Sequence, residues 1–597
     1  MGIIQDIGRE YAFISGVFRA VRRLGNLTAQ SKKTSADVIE HWVRVRPGNT
    51  AIVFEDVSYT YLELDRAANR YARWALAQGI GQGDTVALLM ENRPEFLFAW
   101  FGLHKIGAAA ALINTHLQGQ PLAHSLQISG AKHLILGAEC AEHVLYALER
   151  LEEKPLIWST GARLQGTEDL DTALSAMSDE PLPPDSRAAL TAGDKALLIY
   201  TSGTTGLPKA ANISHLRMQN MMQAFGAATN SNEKDRVYVA LPLYHSAGGI
   251  CAVGMAFSGG GTIVLRRKFS ASHFWEDCAR YKPTIFQYIG ELCRYLLNTP
   301  PHPLEQSHSL RVIIGNGLRP EVWKPFQERF KIPKIIEFYG ATEGNIALLN
   351  IDGTQGAVGR IPSYLRRAMP TRIVKFDIET EQPVRDPVSG FCIECAPGEA
   401  GEAIGQITQQ ARTRFEGYTK SADSEKKILR DVFEKGDMWF RSGDLLRRDA
   451  KGYFYFVDRI GDTFRWKGEN VATSEVSEVL SVVPGVCEAN VYGVTIPGTD
   501  GRAGMAAIVT NGEFDLNAFY AHVEAQLPTY ARPLFLRITK SMDITGTFKH
   551  RKVEFVKEGF NPASVPDPLF LRDDVRRSYR PLDVATFEAV IAGELKF

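Results

Sequence analysis

Short apolar runs that break into glycines and hydroxyls recur through the middle of this 597-residue chain, and they leave few folds open. Residues 61–77 read as a helix, 85–90 as a strand, 95–106 as a second helix and 108–113 as a further strand. Strands alternating with helix-length stretches need crossover connections, which argues for an α/β fold with mostly parallel sheets. Further along, 237–241 runs into Pro242-Leu243-Tyr244-His245-Ser246 and 284–288 into Ile289-Gly290-Glu291. Likewise 311–314 runs into Gly315-Asn316-Gly317-Leu318, and 334–338 into Tyr339-Gly340-Ala341-Thr342-Glu343-Gly344-Asn345. Ligands of open α/β sheets sit beyond the carboxyl ends of the strands, so these polar ends are expected to converge on one crevice. The pattern does not give the strand order.

The sharpest break is Ile199-Tyr200-Thr201-Ser202-Gly203-Thr204-Thr205-Gly206-Leu207-Pro208-Lys209. An apolar strand at 196–200 gives way to the hydroxyls of Thr201, Ser202, Thr204 and Thr205, with glycines between and a lysine at the end. Glycine lets the backbone turn its N–H groups toward a ligand. Donors crowded on such a turn suit a polyphosphate, whose oxygens each need a partner once water leaves. The run is not a Walker A loop, because no Gly-Lys-Ser or Gly-Lys-Thr follows and Pro208 blocks direct passage into a helix core.

Bulk properties narrow the partners. Lys+Arg and Asp+Glu both total 68, a zero balance that gives no sign of a nucleic-acid surface. Hydrophobic content of 45% and charged content of 23% are ordinary for a globular enzyme. Seven cysteines in no regular framework suggest reduced thiols and a cytoplasmic setting, and Cys392 and Cys395 lack a second pair at zinc spacing. No apolar run reaches the length of a spanning helix, and 247–265 is broken by glycines. At the N-terminus Ile7, Tyr11, Ile14, Phe18 and Val21 fall on one face of a helix, with Arg9, Arg19, Arg22 and Arg23 nearby. Two readings stand: a helix lying on the inner face of an anionic membrane through residues 1–25, or a helix docked on its own domain.

The ten residues from Tyr200 to Lys209 resemble the phosphate loop of the adenylate-forming superfamily, which includes acyl-CoA synthetases, luciferases and peptide-synthetase adenylation domains. The resemblance implies a large multi-subdomain N-terminal domain and a small mobile α+β C-terminal domain. The expected division is 1–35, an amphipathic segment; 36–459, the adenylation domain; and 460–597, the lid. It implies ATP contacts at Thr201, Ser202, Gly203, Thr204, Thr205, Gly206 and Lys209, and adenine contacts at Gly315, Asn316 and Gly317. Tyr339, with Gly340 and Ala341, would stack on adenine, Thr342 bond the α-phosphate and Glu343 hold Mg²⁺. A carboxylate oxygen is what that hard cation favours. Asp444 matches the carboxylate that reads both ribose hydroxyls, Arg459 a nearby arginine, and His245 a wall or gate of the acyl site.

Lys549 best matches the closing lysine that stabilises charge growing on the attacked phosphate, with Lys552 as competitor. Gly468 would leave room for the pantetheine arm of coenzyme A, and the pivot between half-reactions falls at Gly461 or Asp462. The run 461–473 resembles more closely the fatty acid transport protein and very-long-chain acyl-CoA synthetase branch. That implies a fatty acid, ATP and CoA as substrates. Burying a methylene is worth about 0.8 kcal/mol, so an apolar tunnel can select long chains without polar contacts. Two alternatives stay open: uptake driven by trapping the acid as its CoA ester, and a bulky steroid-type acid.

Overall fold

The computed structural model describes residues 2–187, 189–201, 207–410, 413–467, 469–497, 499, 501–542 and 552–595. The chain packs as two compact units, 1–359 with 406–428, and 360–405 with 429–597.

Two large sheets build the first unit. One has eight strands in the order Ala347–Asn350, Ile335–Gly340, Val312–Asn316, Ile285–Ile289, Arg236–Val239, Thr262–Leu265, Thr50–Phe54 and Val57–Thr60. All neighbours are parallel except the outermost pair at each edge. The other has seven strands, parallel apart from the final hairpin Lys195–Thr201 and Lys209–Ser214. One apolar core contains residues of both sheets, such as Val86, Leu112, Val237 and Ile263. All of the Pro94–Lys105 helix except Glu95 is buried, and its Phe96–Phe101 stretch with Leu103 lies in this core. A helix apolar all round has no other stable place. The helix expected at 61–77 spans Tyr61–Ala77, its start fixed by Thr60 and Glu63 capping each other's backbone.

The N-terminal helix Gly2–Leu24 uses both of its faces. Phe13 is buried, and Gly16 lies so close to Ile351 that a Cβ would sit 2.8 Å from it. Arg19 Nε donates to the Ala227 carbonyl at 3.1 Å and Arg23 to the Ser231 carbonyl, near the end of the His215–Thr229 helix. The stripe marked out by the sequence faces away: Ile7, Tyr11, Ile14, Phe18 and Val21 are between 49% and 75% exposed. The docked reading therefore describes one face, and the apolar stripe is left outward. Among the described residues no helix is long and apolar enough to cross a membrane.

The second unit holds an antiparallel group around Met438–Arg448 and Tyr453–Arg459, and a five-stranded sheet with its own core. Residue 460, the expected start of the lid, falls inside this unit at the end of the Tyr453–Arg459 strand.

Candidate nucleotide site

Three parallel strands, Ile285–Ile289, Val312–Asn316 and Ile335–Gly340, lie side by side, so their carboxyl ends open at one edge. Gly315 is pressed against its neighbour, since a Cβ there would stand 2.2 Å from the Tyr288 carbonyl. Gly317 takes a φ of 77°, which favours glycine. Its N–H and that of Leu318 both donate to Glu337 at 3.1 Å, and the Tyr288 hydroxyl donates to the same carboxyl at 2.6 Å. Burial pushes the Glu337 carboxyl up to about 8, against the pull of those three donors. Glu337 thus sets the shape of the glycine turn from below.

Tyr339 and Gly340 end their strand, and Ala341, Thr342 and Glu343 form the turn into Ala347–Asn350. Arg217 holds this turn: its Nη2 donates to the carbonyls of Ala341 at 3.1 Å and Thr342 at 2.6 Å. Burial lowers the Arg217 guanidinium, while Glu416 and Glu343 pull it the other way. Asn345 ties the turn to the carbonyls of Gln406 and Thr413 at 2.7 and 2.8 Å. Ser246 and Thr342 hydroxyls stand 3.1 Å apart, which brings the Pro242–Ser246 loop to the same place. His245 in that loop is half-buried, its ring centroid 4.4 Å from that of Tyr244.

The phosphate-loop candidate joins the two strands of a hairpin, with Thr201 paired to Lys209. Ser202, Gly203, Thr204, Thr205 and Gly206 lie outside the described residues. At the described ends, Lys209 Nζ contacts Asp423 at 2.9 Å and stands 5.6 Å over the Tyr418 ring. Tyr418 is the link to the Thr342-Glu343 turn. Burial first, then the Glu343 carboxylate beside it, pushes its phenol up. Glu343 itself is buried. Tyr418 reaches this position because residues 416–419 run along Lys209–Ser214: Thr419 N–H donates to the Ala210 carbonyl and Asn212 N–H to that of Gly417, and Glu416 accepts from Ser214 N–H at 2.7 Å.

So the first unit gathers Thr201, Lys209, Thr342 and Glu343 through Tyr418, Arg217 and Ser246, with Gly315, Asn316, Gly317 and Tyr339 on adjoining strand ends. The sequence reading did not single out Arg217, Glu337, Glu416 or Tyr418. Arg217 carries one available signal, a charge inside a helix that is otherwise largely buried.

In the second unit Asp444 and Arg459 are paired in register across antiparallel strands, with Arg459 Nε 4.0 Å from the Asp444 carboxylate. Gly443 beside them has a φ of 79°. Lys552 Nζ contacts Asp462 at 3.1 Å and donates to the Thr473 hydroxyl at 2.6 Å, which ties the competitor lysine to one of the two residues expected at the pivot. Lys549 and Gly468 lie outside the described residues.

The chemistry of the first-unit groups is that of a nucleotide site beyond parallel strands, with a buried carboxylate suited to a hard cation. The family described as AMP-binding enzyme matches residues 39–404, and its C-terminal domain matches 475–549. Long-chain fatty acid transport protein 2 of Rattus norvegicus is 42% identical over 604 residues, covering 100% of this chain and 96% of the relative. Long-chain fatty acid transport protein 1 of Mus musculus is 44% identical over 561 residues, covering 92% of this chain and 86% of the relative. Among solved structures, an anthranilate CoA ligase in complex with anthranoyl-AMP shares the fold with a TM-score of 0.75 at 22% identity, over 89% of this chain and 98% of that one. A fatty acyl CoA synthetase of Mycobacterium tuberculosis gives 0.60 at 24%, over 88% and 98%. The chain belongs to the AMP-binding, adenylate-forming enzyme family, in the branch of the long-chain fatty acid transport proteins.

Proposed function

We propose that the protein is an ATP-dependent, AMP-forming ligase that joins a long- or very-long-chain fatty acid to coenzyme A. The observation that carries this is the meeting of the Thr342-Glu343 turn, Lys209 and Tyr418 beside the glycine turn at Gly315-Asn316-Gly317. In the first half-reaction the fatty acid carboxylate attacks the α-phosphate, giving acyl-AMP and pyrophosphate. Two anions must approach, so cationic and donor groups aimed at the phosphates lower the barrier. Thr342 would donate to the α-phosphate, Lys209 and the loop hydroxyls to the other phosphates, and Glu343 would hold Mg²⁺, which neutralises phosphate charge when bound. Tyr339 would stack on adenine, and His245 would border the carboxylate. In the second half-reaction the CoA thiol attacks the acyl carbonyl and AMP leaves.

The division at 36–459 and 460–597 belongs to this reading, as does the exchange of Lys549 for the Gly468 face between half-reactions. So do ribose recognition by Asp444 with Arg459 and a cytoplasmic protein held at a membrane's inner surface through residues 1–25. The exposed stripe of the N-terminal helix supports the last point. Purified protein incubated with ATP, Mg²⁺, CoA and palmitate is expected to release AMP and pyrophosphate in step with palmitoyl-CoA. Release of neither, or equal release without any acid, refutes the reading. Parallel assays with chain-length series and steroid acids decide the acyl class.

A further inference from the structure

Along one flank of the N-terminal helix lies a cavity of about 300 Å³, lined by Tyr11, Ser15, Arg19, Asn230, Arg311 and Lys334 among others. Its charges are unevenly answered. Arg311 is matched by Asp235, with two bonds of 2.8 Å. Among the described residues Arg19 donates only to uncharged oxygens, the Ala227 carbonyl and the Ser15 hydroxyl at 3.3 Å. The Lys334 carbonyl accepts from Ile313 N–H at 2.9 Å, but the Lys334 ammonium makes no ion pair or hydrogen bond among the described residues. Burial lowers Lys334, Arg19 and Arg311 lower it further, and Asp352 is the carboxylate that offsets them. The negative end of the His215–Thr229 helix, whose Ala228 and Thr229 line the cavity, answers part of the Arg19 charge. Arg19 and Lys334 still disfavour each other across the cavity, and a bound anion would relieve both.

The cavity also has a direction. Tyr11 lines it and at the same time belongs to the outward apolar stripe, where it is 75% exposed. Arg22, exposed and two or three turns from Tyr11 and Ser15, lies on the same flank. An anion seated here therefore borders the surface carrying Ile14 and Phe18. None of these residues belongs to the nucleotide site.

We propose that this cavity binds the phosphate of an anionic phospholipid, with the lipid's apolar part laid along the Ile7–Val21 stripe. The proposal rests on the surface association suggested above, and free phosphate shares the headgroup's chemistry. The experiment therefore has soluble and vesicle arms. Titration calorimetry with dihexanoyl phosphatidic acid below its micelle concentration is compared with inorganic phosphate. Flotation uses phosphatidylcholine vesicles with and without phosphatidic acid.

Wild-type protein is expected to bind the soluble lipid at one site and phosphate at least tenfold more weakly. Lys334→Gln and Lys334→Met, chosen as a pair so that at least one keeps the wild-type melting curve, should lose this site; Arg22→Gln should retain it. On phosphatidic acid vesicles the Lys334 variants should partition about fivefold less, with phosphatidylcholine binding unchanged. The proposal is overturned if a folded Lys334 variant binds the soluble lipid like wild type, or if inorganic phosphate binds as tightly as the lipid. If the soluble lipid binds but no vesicle does, the site stands and the surface association falls.

Discussion

Replacing Glu337 by Gln tests whether the glycine turn is held by a buried, protonated carboxyl. In the folded protein burial raises that carboxyl from 4.5 to about 8. Between those values the native state keeps a proton that the unfolded chain has released. An acid whose native value is raised contributes stability that is fully present below about 4.5 and is lost as pH rises through about 8. Each pH unit in that window therefore costs the wild type about 1.4 kcal/mol relative to a side chain that cannot ionise. The glutamine oxygen can still accept from Gly317 or Leu318, so the variant is expected to be about 1 kcal/mol less stable near pH 5 and to gain on the wild type above it. Urea unfolding of both proteins at half-unit steps from pH 5 to 8.5 reads the difference directly. The KM for ATP, measured alongside, should rise as the turn loses its second anchor. Parallel stability profiles would show that Glu337 ionises as an ordinary carboxylate, and the argument from burial would fail.

Three further outcomes follow from the same geometry. Arg217→Met removes two charge-assisted bonds to the Ala341 and Thr342 carbonyls, and kcat/KM for ATP is expected to fall about 10- to 100-fold while the fatty acid KM changes less. Lys549→Ala should cut acyl-AMP formation about 10²- to 10³-fold yet leave thioester formation from supplied acyl-AMP intact, whereas Lys552→Met should shift unfolding by about 1 kcal/mol with adenylation retained. The reverse pattern in separate half-reaction assays would exchange their roles. Gly290→Ala would drive a methyl to 1.8 Å from the Gly317 carbonyl, so a lowered melting temperature and a weakened ATP affinity are expected together.

Much of the architecture could be read from residue patterns because it rests on local periodicity. The strand expected at 311–314 is Val312–Asn316 and that expected at 334–338 is Ile335–Gly340, each followed by its polar turn. The strand order was not legible, since pairing of Ile285–Ile289 with Val312–Asn316 depends on long-range packing. Candidate residues on motif turns could be named from the chain itself, but their supports could not. Glu337 matters because two amide protons turn toward it, and Tyr418 because a segment some 200 residues downstream lies along Lys209–Ser214. The N-terminal helix shows the limit of counting one face. Five apolar positions were visible, yet the docking runs through Phe13, Gly16, Arg19 and Arg23 on the other side.

That second face has a practical consequence for anyone who would truncate the chain. Arg19 and Arg23 place positive charge on carbonyls near the end of the His215–Thr229 helix, where the helix dipole is negative. The same helix presents Arg217 to the Ala341-Thr342 turn of the candidate nucleotide site. Trimming the first 25 residues would thus uncap a scaffold that reaches to the candidate nucleotide site. A drop in activity after such trimming would report damage to that scaffold as readily as release from a bilayer, and serine replacements at Ile14 and Phe18 separate the two.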